Sequence, residues 1–190
     1  MRYSEDHKAQ THQRIIDEAA LRFRRDGVAA TGLQSLMKAL GLTHGGFYAH
    51  FKSKGELVET ALRSTAEQYQ QTTAKIFSER HALQRFIKGY LSKTHRGNPG
   101  NGCPLTTLSA ELGLRGEASP ITDEVITDRL QMIESCLSAE DGAEQSVLIL
   151  SAVVGGLLLA RSVNDPALSD RLLETTRRVL LDQVSAQPEA

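Results

Sequence analysis

Apolar side chains recur every three or four residues along most of the chain, which is the spacing of one buried face of an α-helix. The first such stretch ends at Gly27 and carries Ile15, Ile16, Ala19, Ala20 and Phe23. The second is short, ends at Gly41 and carries Leu33, Leu36, Met37 and Leu40. We therefore predict one long and one short helix, preceded by a frayed polar segment over residues 1–8.

Two segments have the form of a capping box, in which a hydroxyl accepts a hydrogen bond from a free backbone amide and a residue three positions later reaches back. They are Thr31 with Gln34 and Ser53 with Glu56. The first is expected to open the short helix. The second is expected to open a long helix that runs to about Phe77.

A third, still shorter helix is predicted between these two. Thr43 can cap its start, it runs through about His50, and Phe47 and Phe51 lie four residues apart on its inner face. A short helix, a turn at Gly41 and a second short helix with a polar outer face form the pattern of a helix-turn-helix. In that motif the second helix enters the major groove of DNA while the first crosses the backbone.

Five more helices are predicted in the rest of the chain. Their approximate spans are residues 81–96, 103 onwards, 119–139, 142 onwards and 165–185. The starts of the last four are marked by Pro104, Ser119 with Pro120, Asp141, and Asp165 with Pro166. We predict a loop over residues 97–102, which are rich in glycine and asparagine, and a disordered tail over 186–190. The chain is thus predicted to be all-α, with about nine helices.

The composition favours the same fold class. The 190 residues are 40% hydrophobic and 24% charged, which is in the range of globular chains. With only 5 Pro and no Trp, the composition favours helices over strands. Cys103 and Cys136 are too few for a disulfide framework, and no secretory signal opens the chain, so a reducing cytoplasm is expected. The longest apolar run, residues 147–160, is shorter than the roughly 20 residues that span a bilayer, so we predict a buried helix and no membrane partner.

The formal net charge of -1 excludes a chain that binds nucleic acid or acidic membrane simply by being polybasic. The charge is unevenly distributed, however. Residues 1–60 hold nine Lys and Arg against seven Asp and Glu, a net +2, which leaves -3 for residues 61–190. A DNA-reading segment in the N-terminal part would depend on two-site, dimeric binding for its avidity.

The stretch from Thr31 to Leu57, TGLQSLMKALGLTHGGFYAHFKSKGEL, resembles the DNA-binding signature of the tetracycline-repressor (TetR) family, and the wider resemblance spans Ile15 to Leu62. It implies a homodimeric transcriptional repressor that a small-molecule inducer releases from a roughly palindromic operator. It also implies a helix-turn-helix DNA-binding domain over residues 1–52 and a ligand-sensing and dimerisation domain over residues 53–190.

The resemblance also implies DNA contacts. Thr43 and Tyr48 fall where the family commonly contacts phosphates, Lys54 falls on its phosphate-binding lysine, and His44 falls where a Lys or Arg often reads a base. The candidate set is completed by Thr31, Gly45 and His50. Each of the two glycines at positions 45 and 46 costs a helix about 1 kcal/mol relative to alanine. Close approach of the backbone to DNA, or ordering of the helix only on DNA, would explain why this cost is tolerated. A metal pair of His44 and His50 is not expected, because a spacing of six puts them on different helix faces.

Cys103 is a candidate regulatory residue. It lies beside Gly102 at a predicted helix start, where amide dipoles favour a thiolate. The stretch GCPLTTLSAEL over residues 102–112 is similar to a segment in some TetR-family members that sense electrophiles or oxidants through a cysteine. The alternative is a small buried cysteine packed beside a ligand pocket. Cys136 is predicted to be a core residue.

Other residues are candidates for the sensor pocket and the dimer interface. The candidate ligand contacts are Tyr69, Phe86, Tyr90, Thr107 and Met132, with plain core packing as the alternative. The last two helices are predicted to form a two-fold, four-helix dimer interface through Val147, Val154, Leu158, Leu172, Thr176, Val179 and Leu180. Gly155 and Gly156 would let a partner backbone approach closely. The alternative is an extended monomer core.

Two other functional classes are alternatives to a DNA-binding repressor: a helical thiol-dependent enzyme and a protein-interaction module without DNA binding. The sequence offers no nucleophile with a base and an orienting group, no phosphate-binding loop and no metal-ligand spacing. We therefore expect no enzyme activity, no metal and no cofactor.

Overall fold

The computed structural model describes residues 5–116, 118–138 and 140–185, except for the side chains of Glu5 and Arg115. Within these ranges all regular structure is helical, as predicted, and comprises nine α-helices and two short 3-10 segments. The α-helices are α1 (Glu5–Asp26), α2 (Leu33–Ala39), α3 (Lys54–Phe77), α4 (Ala82–Tyr90), α5 (Lys93–Gly97), α6 (Leu105–Arg115), α7 (Pro120–Glu134), α8 (Gly142–Ser162) and α9 (Pro166–Ser185). The 3-10 segments are Gly45–Ala49 and Pro99–Asn101. The predicted disordered tail lies outside the described residues, and residues 5–8, predicted to fray, are helical.

The chain divides into two compact units. The first contains the described residues up to Glu67 together with Gly100–Gly116, and the second contains Gln68–Pro99 together with the described residues that follow 117. The units therefore do not coincide with the domain boundary predicted after residue 52. The first unit is larger than predicted because it includes the first half of α3 and because α6 packs on α1.

The core of the first unit is built by the periodic apolar faces that the sequence predicts. α1 buries its stripe against α2, the 3-10 segment and the start of α3. The buried side chains are Ile15, Ile16, Ala19, Ala20, Phe23, Leu36, Met37, Phe47, Phe51, Leu57 and Ala61. Full burial of each large apolar side chain stabilises the folded state by about 1.5–3 kcal/mol relative to exposure.

One of the two predicted capping boxes is confirmed. The backbone amide of Glu56 donates to Ser53 Oγ at 3.1 Å, and Glu56 Oε2 accepts from the backbone amide of Lys52 at 2.6 Å. The box at Thr31 and Gln34 is wrong, because α2 begins after Gly32 with no side-chain cap. Thr31 is buried instead, and its hydroxyl donates to the carbonyl of Gly27 at 2.7 Å.

The single helix predicted over residues 81–96 is two helices, α4 and α5, with a break at Leu91 and Ser92. Ser92 starts the second helix because its Oγ accepts from the backbone amide of His95 at 3.0 Å. The His95 ring nitrogen Nδ1 donates back to the carbonyl of Tyr90 at 2.8 Å. These polar contacts across the break could not be inferred from hydrophobic spacing.

Three later predictions differ in detail from the structure. The predicted loop 97–102 contains the 3-10 turn Pro99–Asn101, and α7 ends at Glu134 rather than near residue 139, so Cys136 lies in a turn. Asp141 precedes α8 as predicted but makes no side-chain cap. Asp165 does cap α9, because its Oδ1 accepts from the backbone amide of Ala167 at 2.9 Å.

In the second unit α8 packs against α7 and α9. α8 is long and apolar enough to cross a membrane by length and composition alone, with a mean hydropathy of 1.8 in its most apolar stretch. Its inward positions, including Ile149, Val153 and Leu157, are nevertheless buried inside this unit. Gly156 allows the close approach of α9, because a Cβ at this position would lie 3.2 Å from Thr176. The prediction that Gly156 faces a partner chain is therefore wrong, whereas Gly155 has open space around it.

Candidate nucleic-acid interface and sensor residues

The turn between α2 and the 3-10 segment is built by Gly41. Its φ of 72° lies in the left-handed region, which a residue without a Cβ adopts at little cost. The backbone amides of Gly41 and Leu42 donate to the carbonyls of Lys38 and Met37 at 3.1 and 2.9 Å, the pattern of a Schellman motif. The turn redirects the chain so that the next helical segment begins immediately.

The predicted α-helix from residue 44 to residue 50 is a five-residue 3-10 segment, Gly45–Ala49. Two consecutive glycines weaken an α-helix at this point. Thr43 caps the segment as predicted, because its Oγ1 accepts from the backbone amide of Gly46 at 3.2 Å. Phe47 is fully buried and stacks on Phe51 with ring centres 5.6 Å apart, which fixes the segment against the core.

The outer surface of this segment carries four of the predicted DNA contacts. Thr43, His44 and Gly45 are exposed, and Tyr48 is 60% exposed. The Tyr48 ring lies edge-on to Phe47 at 5.3 Å and to His44 at 6.0 Å. The buried Phe47 therefore holds an outward-facing array of a hydroxyl, an imidazole, a bare backbone and a phenol, all groups that hydrogen-bond phosphates or base edges.

The other three predicted contacts are engaged within the protein. Thr31 is 3% exposed and its hydroxyl holds the α1–α2 turn, so the prediction that it contacts DNA is wrong. His50 is half-buried with its ring 5.9 Å from that of His12. Burial, followed by the nearby charges of His12 and Lys8, lowers the pKa of His50 and favours its neutral form. Lys54 donates from Nζ to the carbonyl of Val28 at 2.8 Å, which leaves two N–H groups for another acceptor.

Residues 15–61, which contain this array, match the model of the bacterial regulatory proteins of the tetR family. The chain carries a tetR-family domain. It is 44% identical over 48 residues to the HTH-type transcriptional regulator AcrR of Shigella flexneri, a match that covers 25% of this chain and 22% of that protein. It is 25% identical over 172 residues to the HTH-type transcriptional regulator YxaF of Bacillus subtilis strain 168, over 83% of this chain and 88% of that protein.

Structural comparison extends the likeness to the whole fold. A TetR transcriptional regulator from Chloroflexus aurantiacus J-10-FL superposes with a TM-score of 0.78 at 23% identity, covering 94% of this chain and 96% of that one. The chain thus shares its fold with that TetR regulator. In sequence the chain spans less than a quarter of AcrR.

The end of α1 in the tetR-family domain is held by a clamp from the segment Gly100–Gly116, which sequence reasoning missed. The Glu111 carboxylate accepts from the backbone amides of Val28 and Ala29 at 2.7 and 2.9 Å. Thr107 donates from its hydroxyl to the carbonyl of Arg24 at 2.7 Å, and Arg24 Nε donates to the carbonyl of Gly100. No signal in the sequence relates these residues, because the partners are more than 70 positions apart.

Cys103 belongs to this same segment of the first unit. It is 1% exposed, and its carbonyl accepts from the hydroxyl of Thr106 at 3.1 Å. Burial lowers the pKa of the Arg24 guanidinium, and the interaction with Cys103 partly offsets that effect. Cys136 is half-buried in the second unit. Burial raises the pKa of its thiol, and hydrogen bonds from Ser135 and Leu83 offset part of this increase.

Four of the predicted sensor residues lie in the second unit, and Thr107 does not. The ring centre of Phe86 lies 5.4 Å from the ring centres of both Phe77 and Tyr90. Tyr69 and Met132 contact Arg129, a buried arginine on α7 that sequence reasoning did not single out. Among the described residues, no group of three His, Cys, Asp or Glu side chains could hold a metal ion.

The predicted dimer residues separate into exposed and buried ones. Val147, Leu158 and Val179 are exposed, and Val154, Leu172 and Thr176 are half-buried. Leu180 is 4% exposed and packs inside its own chain, so its assignment to the interface is wrong. Leu148 and Leu159, which sequence reasoning did not include, are more than half exposed on the same face of α8.

Proposed function

We propose that this protein is a DNA-binding transcriptional repressor that acts as a homodimer in the cytoplasm and binds a roughly palindromic operator. The observation that carries the proposal is the exposed array of Thr43, His44, Gly45 and Tyr48, held outward by the buried Phe47 inside a tetR-family domain. An enzymatic function has no comparable support from the chain.

In this proposal the 3-10 segment enters the major groove, where the His44 imidazole meets a base edge. The Thr43 hydroxyl proton is free for a phosphate because its oxygen serves as the acceptor for Gly46. Tyr48 and the remaining N–H groups of Lys54 supply further phosphate contacts. With a net charge of only +2 over residues 1–60, one DNA-binding domain attracts DNA weakly. Two domains bound to the same operator at once therefore supply the affinity.

The test is a fluorescence-anisotropy titration of a duplex from upstream of the protein's own gene. Tyr48→Ala should weaken binding at least about ten-fold, the loss of one well-formed contact to DNA. Arg80→Ala, which removes an exposed charge outside the tetR-family domain, is the matched control and should bind as the natural protein does. Equal affinity of the Tyr48→Ala variant and the natural protein would contradict the proposed interface.

Release from DNA is proposed to follow either inducer binding or covalent change at Cys103. Release by modification of Cys103 is supported by the position of this residue in the segment Gly100–Gly116. That segment holds the end of α1 through hydrogen bonds of Glu111, Thr107 and Arg24. Because the thiol is 1% exposed, a reagent must first open this segment, and the bulk it adds prevents reclosure. The clamp on α1 would then be lost and the DNA-bound population would fall.

Cys103→Ser should bind DNA normally and resist release by N-ethylmaleimide. Cys136→Ser is the matched control and should remain sensitive, because Cys103 is still present. Normal release of the Cys103→Ser variant by the reagent would exclude Cys103 as a trigger while leaving the inducer route intact.

A further inference from the structure

The buried face of α7 contains a charged residue. Ile121, Val125, Arg129 and Ile133 are the buried positions of this helix and follow one another at four-residue intervals. Arg129 therefore occupies a place in the stripe that its neighbours fill with apolar side chains. It is only 2% exposed, although arginine is almost never fully buried unless it is paired.

The groups around the Arg129 guanidinium are aromatic or sulfur-containing. Its central carbon lies 4.7 Å from the ring centre of Tyr69 and 5.6 Å from that of Phe86. Nη1 is 3.8 Å from Met132 Sδ, and Nε is buried with no hydrogen-bond partner. No carboxylate in the described parts of the chain forms an ion pair with Arg129. The neighbouring Asp128 accepts instead from Gln70 at 2.7 Å.

This arrangement leaves a charge incompletely compensated. A guanidinium stays protonated in proteins, and each ion taken out of water carries a large desolvation penalty. Stacking on two aromatic rings offsets only part of that penalty. The missing element is an anion that accepts from the unused N–H groups, and a carboxylate matches the planar fork of a guanidinium with two parallel hydrogen bonds.

We infer that Arg129 binds the carboxylate of a small organic acid whose aromatic or apolar body packs on the ring cluster of Tyr69, Phe77, Phe86 and Tyr90. This inference rests on the proposed function in that the acid would be the inducer. Tyr69 and Met132, which cover the guanidinium, are only half-buried. A thioether side chain rearranges easily, so displacement of Met132 would admit the ligand.

The test uses the full chain in thermal unfolding and calorimetric titration with three acids of increasing length: benzoate, phenylacetate and 3-phenylpropionate. Each is compared with its own amide, which has the same shape and no charge. At least one acid should raise the Tm in proportion to the logarithm of its concentration. It should also bind about ten-fold or more tightly than its amide, because charge-assisted hydrogen bonds are the stronger ones.

Substitutions assign the effect to the guanidinium. Arg129→Met keeps an unbranched side chain without the charge, so the acid should lose its advantage over the amide, while the Tm of the unliganded protein stays the same or rises. Arg129→Lys should retain part of the preference as a point charge. Arg80→Met, at an exposed position of the second unit, is the matched control and should leave acid binding unchanged.

Three results would overturn the inference: no acid raises the Tm above its amide, acid and amide bind equally, or the Arg129→Met variant binds the acid as the natural protein does. Acid binding is measured without DNA, and DNA binding is measured without acid. Loss of acid binding alone therefore rejects this site, whereas absence of DNA binding alone rejects the repressor function.

Discussion

At the scale of residues, the turn after α1 is held from two sides. Gly27 has a φ of 87°, and the two amides that follow it donate to Glu111. The carbonyl of Val28 accepts from Lys54 at 2.8 Å. Three consecutive backbone groups thereby tie the turn after α1 to α6 and to the start of α3.

Glu111→Gln should destabilise the protein by about 1–3 kcal/mol, because an amide has one acceptor oxygen and its NH₂ group would face a backbone N–H. Urea unfolding followed by circular dichroism measures the change. Glu67→Gln, at an exposed position of the same unit, should stay within about 0.5 kcal/mol of the natural protein. Equal stability of both variants would mean that the clamp contributes nothing.

A second residue-scale prediction concerns pH. Burial lowers the pKa of His95, opposed by its hydrogen bond to Tyr90 and reinforced by the charge of Arg161. The unfolded chain therefore binds more protons than the folded one near the ordinary histidine pKa of about 6.5, so this contribution to stability falls as the pH falls through that region.

His95→Gln should flatten the dependence of the unfolding free energy on pH between about pH 7.5 and about pH 5.5, even though its overall stability is lower. His44→Gln, at an exposed histidine, should keep the slope of the natural protein. Urea titrations at several pH values give both slopes, and an unchanged slope in the His95→Gln variant would refute this assignment.

At the scale of elements, the sequence predicts where the helical segments lie better than it predicts whether a segment is an α-helix or a 3-10 helix. The apolar periodicity of α1 and the caps at Ser53, Thr43 and Asp165 are confirmed. The segment after Thr43 was placed correctly but is 3-10 rather than α-helical. The break at Ser92 and the clamp at Glu111 depend on polar contacts to specific partners, which spacing does not encode. Arg129 was open to prediction, since it interrupts a regular four-residue apolar repeat.

Gly45→Ala tests the proposed role of a bare backbone in the 3-10 segment. An added Cβ meets nothing within 4 Å, so stability should stay the same or rise by up to about 1 kcal/mol. Affinity for DNA should fall about ten-fold, because a methyl group prevents close approach of the backbone. Gly113→Ala, also in open space, is the control and should leave DNA affinity unchanged. An unchanged affinity in Gly45→Ala would exclude close approach.

At the scale of the whole molecule, α8 has two apolar faces. One is buried against α7 and α9, and the other exposes Val147, Leu148, Leu158 and Leu159. Exposed apolar patches of this kind are typical of surfaces that bind another protein. The same two-sidedness explains why α8 satisfies the composition of a membrane span. We propose that a second copy of the chain covers this face.

Leu148→Asp combined with Leu159→Asp should convert the dimer to monomers, because each buries a carboxylate in the proposed interface. Sedimentation velocity measures the change, and DNA affinity should fall with it. Leu114→Asp, at a leucine that is 90% exposed in the first unit, should stay dimeric. A dimer in the double variant would place the interface elsewhere.

The most direct test of the repressor function is the stoichiometry and salt dependence of DNA binding by the natural protein. Sedimentation and anisotropy with a duplex from upstream of its own gene should give two chains per site and an affinity that falls steeply as salt is raised. Saturable binding with these properties is the predicted result. Absence of binding to that duplex even at low salt, by a folded dimer, would contradict the proposed repressor function.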